Sequence, residues 1–168
     1  DKFIPGHFGH VAIWLGSESQ LKAANLWDDP LITPYHEEIR NGHCVLEALR
    51  DGVQLNSMAH FLDVDDVAVL RKSVAGDKRC ILRACQQIGK EYDFNFDVET
   101  LDKIVCSELV YHVFVDEKWP TTKTLGRHTI SPDNVAVKVL DGSFTMEFFV
   151  HKGNVSSLEK YKELLNKK

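Results

Sequence analysis

Residues 104–114 carry the clearest helical pattern in the chain and constrain its fold most strongly. Counted from Cys106, apolar residues recur three, four, seven and eight positions later, at Leu109, Val110, Val113 and Phe114. This spacing predicts a helix with one face against the core. Cys106 then lies on the inward face of the first turn, where free backbone N–H groups and the helix dipole favour an anion such as a thiolate. The position alone more often indicates a cysteine that only packs, so Cys106 is a nucleophile candidate only if a base lies nearby.

The segments around this helix indicate an α+β fold. Predicted strands cover residues 10–16, 44–49, 64–70, 135–140 and 145–150, with a hairpin turn at Asp51-Gly52. Predicted helices cover residues 19–26, 35–40, 57–61, 77–90 and 156–165, and a further helix start is indicated at Ser131-Pro132-Asp133. Strands and helices do not alternate regularly, which argues against a parallel sheet. We therefore predict one domain over residues 1–168, with an antiparallel sheet packed against helices that include the Cys106 helix.

Composition and charge exclude several classes of function. The 168 residues carry a formal net charge of −5 without long runs of one sign, which argues against a nucleic-acid-binding surface. No apolar run approaches the roughly 18 residues of a membrane span, so no transmembrane segment is expected. No signal peptide is recognisable. Composition leaves the oligomeric state and the localisation open.

The cysteines and histidines form no recognisable metal motif. The four cysteines show neither a CxxC pair nor zinc-ribbon spacing. Two groups, His7 with His10 and His36 with His43 and Cys44, also lack a known zinc spacing. We therefore expect no metal and no cofactor. His7 is expected in a loop at the mouth of a substrate groove.

Two polar residues interrupt segments that otherwise resemble core strands. His10 stands at the first position of the predicted strand at residues 10–16, and Glu47 interrupts the apolar run of residues 44–49. Each has an ordinary explanation: a histidine bonded to backbone at a strand end, or a carboxylate on the solvent face of an edge strand. If the second strand is central, however, the Glu47 carboxylate is buried and requires a cation or a hydrogen-bond donor beside it.

One arrangement explains both residues together with Cys106. If His10 and Glu47 lie on neighbouring strands against the first turn of the Cys106 helix, Glu47 orients the imidazole and His10 takes the thiol proton. The thiolate would attack a carbonyl, and the backbone N–H of Cys106 would bind the oxyanion. The predicted reaction is acyl transfer with Cys106 as nucleophile, His10 as base and Glu47 as orienting residue. Tyr92 is a candidate for a second polar contact, although a core tyrosine is the simpler explanation.

Four segments follow one another in a recognisable order. They are Phe3-Ile4-Pro5-Gly6 with His10 and residues 11–16, then Val45-Leu46-Glu47-Ala48, then Tyr92-Asp93, then Val105-Cys106-Ser107-Glu108-Leu109-Val110. Together they span roughly residues 3–140 and closely resemble the circularly permuted NlpC/P60 cysteine hydrolases of the YiiX/YebB type, which have a papain-like fold. In the ordinary NlpC/P60 order the cysteine comes first, whereas here His10 and Glu47 precede it, as the permutation requires.

The resemblance implies that Cys106, His10 and Glu47 are the catalytic residues, with Tyr92 and His7 predicted to contact substrate. It implies a small peptide or cell-wall fragment as substrate, such as a γ-D-glutamyl amide of a diamino acid, and favours an extracytoplasmic location. Family members usually begin with a strand containing Gly-Asp that this sequence lacks. The groove wall that this strand would build is therefore missing or belongs to residues outside this chain.

Two other functions remain open. The first is a lipid acyl substrate, as in the lecithin–retinol acyltransferase relatives. Those relatives carry Asn-Cys at the nucleophile where this chain has Val105-Cys106, but an apolar channel beside Cys106 would favour the alternative. The second is a non-catalytic binding module on the same scaffold, because a fold does not determine function. Loops at residues 27–41 and 119–128 are expected to set specificity.

Overall fold

Two antiparallel three-stranded sheets form the framework of the structure, a computed structural model that describes residues 6–72, 78–93, 103–124 and 127–166. The strands are β1 (Ile13–Trp14), β2 (His43–Leu49), β3 (Gly52–Ser57), β4 (Val67–Lys72), β5 (Glu91–Tyr92), β6 (Lys103–Ile104), β7 (Thr122–Thr124), β8 (Arg127–Thr129), β9 (Phe144–His151) and β10 (Asn154–Val155). The helices are α1 (Glu18–Ala23), α2 (His36–Arg40), α3 (Met58–Phe61), α4 (Arg79–Cys85), α5 (Cys106–Val113), α6 (Pro132–Ala136) and α7 (Leu158–Leu165), with 3₁₀ turns at Thr33–Tyr35 and Val137–Val139. The predicted α+β class with antiparallel sheets packed against helices is confirmed.

The first sheet has the strand order β1-β2-β3, so β2 is its central strand. The predicted hairpin joins β2 to β3 and places Glu47 opposite Gln54. Gly52 is required at the turn because its φ is +110° and a Cβ there would lie 2.7 Å from the carbonyl oxygen of Lys90. Only 2% of Glu47 is exposed. Glu47 is therefore buried on a central strand, and its carboxylate requires a cation or a hydrogen-bond donor beside it.

The second sheet has the order β10-β9-β4, and each sheet packs on its own hydrophobic cluster. The larger cluster contains Leu46 of β2 and Leu109 and Val113 of α5, so the Cys106 helix packs on the central strand of the first sheet. The smaller cluster contains Phe149 of β9 and Tyr161 of α7. Apolar burial of this kind fixes the position of α5 relative to Glu47.

The strand predicted at residues 10–16 is shorter in the structure. Ile13 and Trp14 pair with Leu46 and Val45 of β2, and His10 lies in the segment just before β1 rather than at its first position. The first three residues of the Phe3-Ile4-Pro5-Gly6 motif lie outside the described residues. His10 thus lies in a segment that is not held by hydrogen bonds between strands.

The strand predicted at residues 135–140 is wrong, because these residues belong to α6 and the 3₁₀ turn that follows it. Ser131 Oγ accepts a hydrogen bond from the N–H of Asn134 at 3.2 Å, and Pro132 occupies the first helical position. These helix-start signals outweigh the preference of the β-branched residues that follow for a strand.

Two helix boundaries also differ from the prediction. Helix α4 ends at Cys85 rather than near residue 90, and its predicted first residue, Asp77, lies outside the described residues. Helix α7 is capped by Ser157 rather than Ser156, since Ser157 Oγ accepts from the N–H of Lys160 at 3.3 Å. Among the residues that the structure describes, no helix has the length and apolarity needed to cross a membrane.

Candidate active site

The structure brings His10 and Glu47 together beside the first sheet. His10 Nε2 lies 3.0 Å from Oε1 of Glu47, and Asn56 Nδ2 donates to Oε2 of the same carboxylate at 2.9 Å. Burial raises the pKa of Glu47, but the hydrogen bonds from His10 and Asn56 outweigh it and leave the pKa below its usual value. The buried carboxylate is therefore ionised, and it can orient the imidazole and stabilise its positive charge.

The thiol of Cys106 interacts with the same imidazole. Burial lowers the pKa of His10, but hydrogen bonds with Cys106 and Glu47, together with their negative charges, raise it to about 9. The imidazole accordingly holds its proton at neutral pH, between the sulfur on one side and the carboxylate on the other. Cys106 is only 4% exposed and is the first residue of α5. The imidazole of His10 thus interacts with the Cys106 thiol as well as with the Glu47 carboxylate.

The first turn of α5 is held by its own side chains. Val105, the N-cap, is extended (φ −98°, ψ 168°), and its N–H donates to Glu108 Oε2 at 2.9 Å. This is one half of a capping box, because valine has no oxygen for the reciprocal bond. Ser107 Oγ donates to the carbonyl of Ile130 at 2.6 Å. Glu108 is therefore a helix cap that fixes Cys106, whose own backbone N–H has no intrahelical acceptor.

Tyr92 lies close to Cys106 in the structure. It pairs with Ile104 across β5 and β6, and β6 leads directly into α5. Burial raises the pKa of Tyr92, and the negative charges of Cys106 and Glu108 raise it further. The phenol of Tyr92 therefore keeps its proton at neutral pH. Its contact with substrate stays a prediction.

His7 is placed apart from the His10–Glu47 pair. Its ring contacts Asp66 and His151, while its backbone N–H and that of Phe8 donate to the carboxylate of Asp133 at 2.9–3.1 Å. Only glycine fits at position 6, because φ is +144° and a Cβ would overlap the Asp133 carboxylate. Asp133 thus anchors the segment that leads to His10. The predicted contact of His7 with substrate stays a prediction.

Three residues that support the site were not predicted from the sequence. Asn56 had a signal, because the hairpin register that pairs Glu47 with Gln54 puts residue 56 on the same face as a diagonal neighbour. His60 Nε2 lies 3.9 Å from Glu47 Oε2 and adds positive charge there. Asp133 had no local signal, since it lies 126 positions from His7.

A cleft of about 770 Å³ opens beside His10 and Glu47. Most of the side chains that line it are apolar, among them Val11, Ile13, Val45, Leu49, Val67, Leu70 and Val110. Val110 of α5, one helical turn after Cys106, lines the cleft, whereas Cys106 itself is not among the residues that line it. Residues 7–14 and 66–71 line the cleft consecutively, so the backbone of β1 and β4, the end strands of their sheets, borders it as well.

Comparison with known proteins gives one match. Residues 1–161 match the family model described as "Permuted papain-like amidase enzyme, YaeF/YiiX, C92 family". No curated protein and no solved structure matches the chain. The match supports the permuted papain-like fold, whereas the NlpC/P60 name is not supported separately.

Proposed function

The chain belongs to the family of permuted papain-like amidases, and we propose that it hydrolyses an amide through a thioester on Cys106. The observation that carries this proposal is the interaction of the His10 imidazole with both the Cys106 thiol and the Glu47 carboxylate. A cysteine that only packs needs neither a base beside it nor a buried carboxylate behind that base.

The reaction follows from these three groups. The thiolate of Cys106 attacks the amide carbonyl, and the oxyanion that forms is stabilised by the backbone N–H at the start of α5. The C–N bond breaks as His10 gives its proton to the leaving amine, which leaves a thioester. His10 then removes a proton from water, the hydroxide attacks the thioester, and the acid departs as the thiol is restored. Glu47 stabilises the imidazolium throughout.

Replacement of Glu47 by glutamine is expected to shift the alkaline limb of kcat/KM to lower pH. The imidazolium that protonates the amine is lost as the pH rises through the pKa of His10, about 9. Glutamine removes the negative charge that raises this pKa. The pH at which kcat/KM declines on the alkaline side should therefore be lower by about 1 unit or more. A pH–rate profile measures it, and a limb that stays near pH 9 would show that Glu47 does not charge the imidazole.

The lining of the cleft supports a substrate with an apolar chain, as in a lipid-type amide. A chain of methylene groups gains about 0.8 kcal/mol per group on leaving water. The wall offers mainly valine, leucine and isoleucine side chains beside His10. The scissile amide would lie at Cys106 while its acyl chain lies along β1 and β4.

A cell-wall peptide is the second candidate substrate. It is favoured by the backbone of the end strands β1 and β4, which borders the cleft and could pair with an extended peptide. The net charge of −5 also suits a cationic diamino acid, although weakly.

Hydrolysis of matched substrates tests both candidates. We expect faster cleavage of long-chain than of short-chain N-acyl amides, and a loss of about 10-fold or more in kcat/KM for the long chain in Val67→Trp, which narrows the cleft. Val155→Trp is the control, because Val155 is 75% exposed and outside the cleft. Cleavage of peptidoglycan fragments without any preference for chain length would favour the peptide instead.

A further inference from the structure

A cluster of potential metal-ligand atoms lies beside the cleft, and two of its three residues line the cleft. It consists of His7, Asp66 and His151, which come from the segment before β1, the residue before β4 and the end of β9. One ligand atom from each residue lies within 4.8 Å of the other two. No motif in the sequence could suggest this group, because its members lie far apart in the chain.

The contacts in the cluster are short but incompletely hydrogen-bonded. His151 Nδ1 lies 2.9 Å from Asp66 Oδ2, and His7 Nε2 lies 2.8 Å from the same oxygen. Yet His7 Nε2 has no hydrogen-bond partner among the described residues and is shielded from solvent. Its N–H direction therefore misses the oxygen that lies closest to it. A buried ring nitrogen without a hydrogen bond is costly unless another group binds it.

The carboxylate in the middle is already oriented. Asp66 Oδ1 accepts the N–H of Lys152 at 2.7 Å and also lies 3.0 Å from Nδ1 of His151. The backbone of Lys152 and the ring of His151 thus hold the carboxylate in one orientation. Backbone contacts of this kind orient metal ligands in proteins.

We propose that His7, Asp66 and His151 bind a divalent transition metal ion, Zn²⁺ being the best fit. Two imidazoles and one carboxylate are a common zinc ligand set that leaves a fourth position for water or substrate. Ligand atoms around a tetrahedral zinc lie about 3.3 Å apart, given bonds of about 2.0–2.1 Å, so small side-chain movements suffice. His7 and Asp66 also line the cleft, which places the open position on the cleft side.

The ion would connect the two sheets through the segment that carries the proposed base. His7 lies three residues before His10, whereas Asp66 and His151 belong to the second sheet region. Metal binding at this point would restrict the movement of His10. It is therefore expected to stabilise the folded protein as well as to bind there.

Titration of the full chain with Zn²⁺ tests the proposal. The Cys106→Ala background removes the thiol, the strongest competing zinc ligand beside His10. By calorimetry after chelator treatment, this protein is expected to bind one Zn²⁺ per chain and to unfold at higher temperature when Zn²⁺ is present. His7→Ala and His151→Ala should each weaken binding at least 10-fold and abolish the thermal shift. His43→Ala, an exposed histidine outside the cluster, should change neither.

Three outcomes would overturn the proposal. They are no Zn²⁺ uptake by the Cys106→Ala protein, uptake that survives both histidine replacements, and a loss of stability in the variants that is equal with and without Zn²⁺. The third outcome would mean that the three residues only stabilise the fold through their hydrogen bonds and do not bind the ion. His7 lies outside any helix or strand, so His7→Ala still provides the test if His151→Ala does not fold.

Discussion

Replacement of Cys106 by alanine is expected to reduce amide hydrolysis on the order of 10⁴-fold or more. The replacement removes the atom that forms the thioester, so neither His10 nor the helix N-terminus can act on a covalent intermediate. The fold should tolerate it, because one buried sulfur is lost at the start of a helix that retains its cap from Glu108. Hydrolysis of the N-acyl amide that the wild-type chain cleaves fastest measures the effect.

Cys44→Ala is the matched control for this experiment. Cys44 is also a free thiol, but it is partly exposed and contacts Trp14 Nε1 at 3.3 Å instead of a histidine. Its replacement should leave hydrolysis within about twofold of the wild type, as for a surface substitution away from the site. Equal activity in the two variants would exclude Cys106 as the nucleophile.

Replacement of His10 by alanine is expected to lower kcat by about 10²–10⁴-fold. The variant loses both the base for the thiol and the acid for the leaving amine. It also leaves the carboxylate of Glu47 buried without its cation, which can cost about 3–5 kcal/mol of stability. Thermal unfolding is therefore measured first, and kinetics are recorded well below the midpoint.

His60→Ala distinguishes this effect from a general loss of positive charge near Glu47. His60 Nε2 lies 3.9 Å from Glu47 Oε2, and its side chain is 59% exposed. The variant should lose less than about 10-fold in kcat, because solvent around the exposed imidazole of His60 screens its charge. If His60→Ala were as slow as His10→Ala, the loss of kcat in both variants would result from lost positive charge near Glu47 and not from lost proton transfer by His10.

Local sequence patterns were sufficient for the elements that carry Cys106 and Glu47, but the strand predicted to begin at His10 begins only at Ile13. The apolar spacing after Cys106 predicted α5, and the Asp51-Gly52 turn predicted the hairpin of β2 and β3 that carries Glu47. Both signals are short-range, so they persist in the folded chain. The burial of Glu47 did not follow from the turn, because β2 becomes the central strand only through its pairing with β1.

Long-range contacts could not be predicted in the same way. Asp133 anchors the segment before His10 from 126 positions away, and His151 meets Asp66 across 85 positions. Neither pair leaves a local pattern, because each depends on how the second sheet packs. The error at residues 135–140 has another cause: β-branched composition was given more weight than the cap at Ser131 and the proline that follows it.

The rate at which iodoacetamide alkylates each thiol, resolved by peptide mass spectrometry at neutral pH, tests the central claim most directly. Exposure alone favours Cys44, since Cys106 is only 4% exposed. The proposed proton transfer to His10 predicts the opposite order, with Cys106 alkylated fastest and slowed below Cys44 by His10→Ala. Faster alkylation of Cys44 in the wild-type chain, with no change at Cys106 in His10→Ala, would contradict the thiolate–imidazolium pair.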